Sequence, residues 1–573
     1  MMPNKPITRI CLSLFLLGAV PCWAQPLFAA QVGGETQTIF QFDGSAYAEG
    51  LGGSVAAAGD VNGDGFADVI VGAASASPGG LPYAGSAYVF SGSTGALLHQ
   101  FDGSAASDYF GDSVSGAGDV NADGFDDLIV GTPYADPGGF SYAGSAYVFS
   151  GSTGALLYQF NGIAGNDLLG ESVSGAGDVN SDGYDDLIVG ASGSDAGGLN
   201  FNGLANVYSG ATGLLLYKFV GYAWAEHFGS AVSGAGDIDL DGFDDLMIGA
   251  WGARAHSGTV YVYSGASGLL LFQFDGAADN SFGQSVSNAG DVNGDGLEDL
   301  IIGASSAGPG GWSGPGLAYV YSGSTGDLLH QFEGGAISSD MRGFPVSGAG
   351  DVDGDGFADL IIGAKNRGPV GLLSAGSASL YSGATGALLY KFVGEAIDDR
   401  LGCSASGAGD VNGDGFADVI VGASGADPGG NDSAGSAYVF SFHSFLIPNA
   451  YSVSAFAGGT LNFQVDFPDA ASFNGYKILI SATGTGPTNY GVDIPLTRDF
   501  MVNRTFLGDY PFQIHTGMQG TLDAFGQATA QIVAPAGLPP SLIGRTYWLA
   551  AIASLPGNVP EFSSIAIPIE ILP

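Results

Sequence analysis

The chain predicts an all-β protein: a seven-bladed β-propeller with a cation-binding loop in every blade, followed by a small β-sandwich-like domain. Three observations carry this. An acidic nonapeptide, Asp-Val-Asn-Gly-Asp-Gly-Phe-Ala-Asp at Asp60–Asp68, returns from Asp119, Asp178, Asp237, Asp291, Asp351 and Asp410, at spacings of 54 to 60 residues. A fixed period of that length marks one supersecondary unit copied in tandem. Each copy runs into a short β-branched stretch such as Asp68-Val-Ile-Val-Gly72, which reads as a strand. The repeat is also cut unevenly at its two ends, as a closed ring requires.

The second repeat shows the plan of one blade. Phe110–Val114 is a predicted first strand, the loop Asp119–Asp127 follows, and Leu128–Val130 is a second strand. A Gly/Pro-rich connection, Thr132–Gly144, leads to a third at Ser145–Ser150, and Gly151-Ser-Thr-Gly154 turns into a fourth at Ala155–Phe160. Four antiparallel strands make one propeller blade. The last repeat stops at Ser436–Ser441 without its fourth strand, while an orphan, Thr36–Gly44, precedes the first repeat. The orphan ends Gln41-Phe-Asp-Gly44, like the fourth-strand ending Gln100-Phe-Asp-Gly103. It can complete the last blade and remove the open sheet edge.

The loop spacing names its chemistry. Ca²⁺ takes six to eight oxygen ligands from carboxylates, amides and carbonyls. Here positions one, three, five and nine offer side-chain oxygen and position seven a backbone carbonyl. The predicted ligands are Asp60, Asn62, Asp64, Phe66 and Asp68; Asp119, Asn121, Asp123, Phe125 and Asp127; Asp178, Asn180, Asp182, Tyr184 and Asp186. They continue as Asp237, Asp239, Asp241, Phe243 and Asp245; Asp291, Asn293, Asp295, Leu297 and Asp299; Asp351, Asp353, Asp355, Phe357 and Asp359; Asp410, Asn412, Asp414, Phe416 and Asp418. Gly65 permits the sharp turn. An EF-hand shares the first half of the pattern but needs Glu at position 12, where these loops carry Val71, Val130, Val189, Ile248, Ile302, Ile362 and Val421. The expectation is up to seven structural Ca²⁺ sites.

Composition limits the partners. The formal charge is −43, and seven dications would still leave the surface acidic, which argues against nucleic acid or anionic lipid. Glycine makes up 100 of 573 residues without a three-residue period, so this is turn-rich β structure rather than collagen. Residues 1–24 read as a signal peptide: Lys5 and Arg9 precede the apolar run Ile10–Val20, with small residues before a cleavage point after Ala24. That leaves Cys403 as the one cysteine of the mature chain. No other stretch is long enough for a transmembrane helix. A linker at 25–35, the propeller at 36–443 and the second domain at 444–573 complete the predicted organisation. In the tail Leu461–Val465, Tyr476–Ile480 and Ile565–Ile571 alternate apolar and polar residues, as strands of a small sandwich do.

Phe110-Gly111, Gly116-Ala-Gly-Asp119, the acidic loop and Leu128-Ile-Val-Gly131 together resemble the FG-GAP repeat of integrin alpha-subunit propellers and of secreted bacterial proteins. The resemblance covers roughly Gln37–Phe442 and implies the propeller and its calcium loops, but no particular ligand. Leu51, Leu169 and Leu401 stand in place of the Phe, and Arg342 holds that place in the sixth repeat. The family's animal members carry metal in some blades only, whereas here every copy keeps the ligand set.

No catalytic constellation emerges. Gly-x-Ser-x-Gly, His-Glu-x-x-His and a phosphate loop are all missing. His99 and His330 occupy a fourth-strand position that other repeats fill with Tyr158, Tyr217, Phe272 or Tyr390, a packing position. The expected function is an extracellular adhesion or recognition module for a protein or glycan, not an enzyme. The alternatives are a structural envelope or matrix component, or a polysaccharide-active enzyme. Connections alternate between the two faces of a propeller, so the variable loops lie opposite the metal loops. There the fourth repeat has the shortest connection, Ala250–Gly258. With the preceding interblade loop it offers Trp224, Trp251 and Arg254 as the predicted ligand-binding residues.

Overall fold

The computed structural model describes residues 32–277, 280–307, 316–333, 345–366 and 372–444, with side chains from Thr36 to Phe442, and beyond these only the backbone of strands within 446–572. Seven four-stranded antiparallel blades follow one another around a ring. Blade 1 comprises Ser54–Gly59, Asp68–Ala73, Ser86–Phe90 and Leu97–Asp102. Blades 2 to 6 repeat this order, and each begins and ends within one repeat.

Blade 7 is built from both ends of the propeller sequence. Leu401–Gly409, Asp418–Ala423 and Ser436–Ser444 are joined by Val32–Asp43 as the fourth strand, whose first two residues also pair in parallel with Ser563 and Ser564 of the tail. Phe42 lies opposite Ala437 and Asp43 opposite Ser436, the register in which Phe101 faces Ala87 and Asp102 faces Ser86 in blade 1. The orphan strand therefore closes the ring as its sequence implied. It begins at Val32, four residues before the expected start, and its partner runs on to Ser444 rather than ending at Ser441.

The core lies between blades, not within them. Val69, Ile70 and Val71 are all fully buried. Ile70 packs with Val89, Phe110 and Leu128 toward blade 2, whereas Val69 and Val71 pack with Phe42, Ile420 and Val439 toward blade 7. A strand covered on both faces carries an unbroken apolar run instead of an alternating one. Sheet-on-sheet packing at this spacing leaves little room where backbones meet. A side chain on Gly72 would sit 2.1 Å from the Gly111 carbonyl oxygen of the next blade.

One sequence expectation is corrected. The first strand of blade 2 is Ser113–Gly118, not Phe110–Val114. Phe110 makes a single parallel bridge to Gly85 of blade 1 and packs its ring on Tyr147 and Phe149. It is a wedge between blades, so its burial reflects an interblade contact rather than strand alternation. Leu51, Leu169 and Leu401 make the same bridge and are equally buried, so an aliphatic side chain of similar reach serves. In blades 4, 5 and 7 the strand extends back to include this residue.

In the tail the described backbone holds strands at Gly459–Asp466, Gly475–Ser481 and Ile567–Leu572, among others. Their packing as a sandwich lies outside the described residues, as do the signal-like segment and Arg342. Among the described residues no helix is long and apolar enough to cross a membrane.

Candidate metal loops and the face opposite them

Each acidic loop joins the first two strands of its blade, and its last carboxylate is its anchor. Asp68 is fully buried. It accepts hydrogen bonds from the Val61 amide at 3.1 Å and from the Gly92 amide, in the turn between strands three and four, at 2.8 Å. Asn62 donates its amide to the same carboxylate, which leaves its carbonyl oxygen available. Asp60 accepts from the amides of Gly63, Asp64 and Gly65 at 2.7 to 3.1 Å. The loop thus curls around its own first carboxylate, with the Asn62 amide held against the Asp68 anchor. The glycine amide of the strand-three-to-four turn reaches Asp127, Asp186, Asp245, Asp299 and Asp359 in the same way, and in blade 7 Asp418 accepts from the Val411 amide and Asn412; all six are buried.

Donor chemistry fits a hard dication. Asp237, Asp239 and Asp245 bring carboxylate oxygens within 4.8 Å of one another, as do Asp351, Asp353 and Asp355. In blade 6 the fit is clearest. Asp353 and Asp355 are buried, and one oxygen of each has no hydrogen-bond partner among the described residues. A buried, unpaired carboxylate oxygen is costly unless a cation faces it. Burial first, and then repulsion from the neighbouring loop carboxylates, pushes the anchor acids upward without metal: Asp68 to about 6, Asp127 and Asp186 to about 7, and Asp418 to about 8.

Backbone strain marks position four of the loop. It is glycine in blades 1, 5, 6 and 7, but Ala122, Ser181 and Leu240 hold it elsewhere at φ of 53°, 55° and 60°. A left-handed conformation disfavours any residue with a Cβ by about 1–2 kcal/mol. Leu240 is 72% exposed, so its side chain offers little compensating burial. Leu240→Gly should raise the stability of the metal-bound protein by about 1 kcal/mol, measured by denaturant titration. A lower midpoint would show that the side chain makes a contact worth more than the strain.

Sequence reasoning missed position eight. Asp126, Asp185 and Asp244 do not face their own loops. Each accepts from the first loop amide of the preceding blade, on Asp60, Asp119 and Asp178, at 2.7 to 2.8 Å. They are latches between blades. Blades 1, 6 and 7 carry Ala67, Ala358 and Ala417 there, whose own amides bond to the neighbouring loop instead. The acid-or-alanine alternation at that column was the available signal. Interblade loops hold a second unforeseen device. Glu49 accepts from the amides of Ser45 and Ala46 and from the Tyr88 hydroxyl at 2.8 to 3.0 Å. Glu226 repeats this with Tyr222, Ala223 and Tyr261.

The predicted ligand-binding residues all lie on the face opposite the metal loops, but in different settings. Trp251 is half-buried and stacks on His227 at 4.6 Å and 9°, and on His256 at 5.7 Å. Arg254 is exposed and pairs with Asp275 at 2.9 Å. Its short connection is a tight left-handed turn, with Arg254, Ala255 and His256 all at positive φ. Trp224 stands 70% exposed on the interblade loop. Among the described contacts, none joins it to Trp251 or Arg254. The packing role expected of His99 and His330 is what the structure shows: each ring nitrogen lies 2.6 Å from a carbonyl oxygen of the next blade, Gly151 or Gly383.

A ring of seven blades, each with an acidic loop of this design, defines a class of repeat propeller. Seven segments, 51–90, 110–149, 169–208, 228–263, 282–328, 346–381 and 404–440, match the FG-GAP repeat. The chain is an FG-GAP repeat protein, and its propeller is related to that of integrin alpha subunits. Integrin alpha-5 of Xenopus laevis is 34% identical over 216 residues, covering 34% of this chain and 20% of that protein. Integrin alpha-V of Gallus gallus is 35% identical over 212 residues, with the same two shares. Integrin alpha-4 of Xenopus laevis is 31% identical over 257 residues, covering 42% of this chain and 24% of that protein. The chain thus spans about a fifth to a quarter of the length of these relatives.

Proposed function

We propose that this chain is an exported, non-enzymatic adhesion or recognition module, stiffened by Ca²⁺ in its seven acidic loops, that binds an extracellular protein or glycan through the face opposite those loops. One observation carries the choice of face. Every exposed aromatic side chain among the described residues, Tyr47, Tyr83, Tyr134, Phe140, Tyr142, Phe201, Tyr222 and Trp224, lies on that face. Tyr83, Tyr109, Tyr134 and Tyr142 form a continuous series of ring contacts at 5.2 to 5.9 Å. Exposed aromatic clusters mark binding surfaces, and such residues dominate binding energy. The signal-like N-terminus and the kinship with integrin alpha subunits support an extracellular setting.

Trp224, Trp251 and Arg254 are the proposed centre. Trp224 is free to meet a partner directly, whereas Trp251 and Arg254 hold the turn beside it. The test is a pull-down of extracellular proteins and a glycan array with calcium-loaded protein. Trp224→Ala, and Trp251→Ala with Arg254→Ala, should each weaken the captured ligand by about tenfold or more. Normal binding by both variants, alongside loss on substituting the metal face of a folded protein, would place the ligand on the wrong side of this reading.

A further inference from the structure

We propose that the junction between blades 6 and 7 holds a binding site for a neutral saccharide, distinct from the Trp224, Trp251 and Arg254 region. At the six other junctions the residue three before the end of strand four reaches onto a glycine turn of the next blade. Phe40 meets Gly95, His99 meets Gly154, Tyr158 meets Gly213, Tyr217 meets Gly268, Phe272 meets Gly326 and His330 meets Gly386. Tyr217 also donates its hydroxyl to the Gly265 carbonyl at 2.7 Å. The corresponding residue of blade 6 is Tyr390. Blade 7 has no such turn, because its third strand runs straight on to Ser444 and its fourth comes from the N-terminus. Among the described residues the Tyr390 hydroxyl has no hydrogen-bond partner, and the aromatic ring its own ring meets is that of Phe392 in the same strand. Closing the ring with a distant strand therefore leaves a gap at the seam.

That gap is a cavity of about 580 Å³, lined among others by Thr36, Thr38, Tyr390, Glu395, Asp399 and Tyr438. The volume falls in the range of small-molecule sites. Its chemistry is aromatic and hydroxyl-rich. Asp399 places one oxygen on the amides of Glu395 and Ala396. Being a methylene shorter than Glu49 or Glu226, it makes no described bond to Tyr438 of the kind those residues make to Tyr88 and Tyr261. Ring faces offer contact to C–H groups, while carboxylates accept from ligand hydroxyls and the Thr and Tyr hydroxyls both accept from and donate to them. Glu395 and Asp399, against Lys391 among the described lining residues, disfavour an anion. Converging polar groups disfavour a purely apolar ligand, whose binding would leave them unpaired. A neutral polyhydroxylated ligand satisfies both limits.

The test uses the whole mature chain, calcium-loaded, in isothermal titration with cellotriose, maltotriose and N,N′-diacetylchitobiose, and with a hyaluronan tetrasaccharide as the anionic probe. At least one neutral saccharide should bind and the anionic one should not. Tyr390→Ala should weaken that binding at least tenfold. The near-isosteric Tyr390→Phe, which keeps the packing and so the fold, should weaken it several-fold. Trp224→Ala should leave it unchanged, so failure here and failure of the loop-face reading are distinguishable. No neutral saccharide binding at millimolar concentration, as when the chain's own tail fills the seam, overturns the proposal. So does binding that Tyr390→Ala leaves intact in a protein with a normal circular dichroism spectrum.

Discussion

Excess chelator should lower the melting temperature of the whole propeller by about 4–12 °C at pH 8, and by less at pH 5. Sites with dissociation constants of 0.1–1 mM would each add about 0.4–1.4 kcal/mol at millimolar Ca²⁺, or about 3–10 kcal/mol over seven; the temperature range follows from the entropy of unfolding a domain of this size. The pH dependence follows from the anchor acids. Their metal-free folded values, about 6 for Asp68 and Asp299, about 7 for Asp127, Asp186 and Asp245 and about 8 for Asp418, lie above the unfolded value. Their contribution is therefore present below about pH 4 and lost as pH rises through 6 to 8. Metal-free protein should gain stability on mild acidification, while protons compete with bound calcium, so the calcium increment shrinks. Blade 6 sharpens the test. Asp355→Asn removes a buried charge whose oxygen has no partner, so it should stabilise the protein in chelator and destabilise it in calcium. An unchanged melt in chelator, or one sign for Asp355→Asn in both conditions, would sink the metal assignment.

Deleting residues 32–43 should destabilise the propeller by more than about 5 kcal/mol and drive it to associate. The deletion removes a strand paired over nine positions and the Phe42 ring, which is buried and stacks on Phe90 of blade 1 at 3.9 Å. Losing that ring costs about 2–3 kcal/mol, and the stranded ladder groups of Ser436–Ser444 add to it. The exposed edge is then a template for another chain. Size-exclusion chromatography should show oligomers, and a synthetic peptide of residues 32–44 should restore the monomer by completing the blade. A truncated protein that stays monomeric and melts like its parent would disprove the closure.

The sequence by itself determined what repeats. Asp and Asn at alternate loop positions, glycine at the sharp turn and a β-branched run after each loop are local requirements of turn and strand chemistry. A period of about 59 residues made the blade count legible, and the unmatched ends of the repeat announced the closing strand. Tertiary structure decided whatever depends on the neighbouring blade. Phe110 read as a strand residue because it precedes an alternating segment, yet it buries itself across the junction. Position eight read as part of its own loop, yet Asp126 bonds to the loop before it. Trp224, Trp251 and Arg254 share a face, but only packing determines that Trp251 is enclosed by two histidines while Trp224 is open. The seam cavity is the extreme case. Tyr390 has the same sequence surroundings as Tyr158 and Tyr217, and it differs because the blade it faces was finished by a strand from the other end of the propeller.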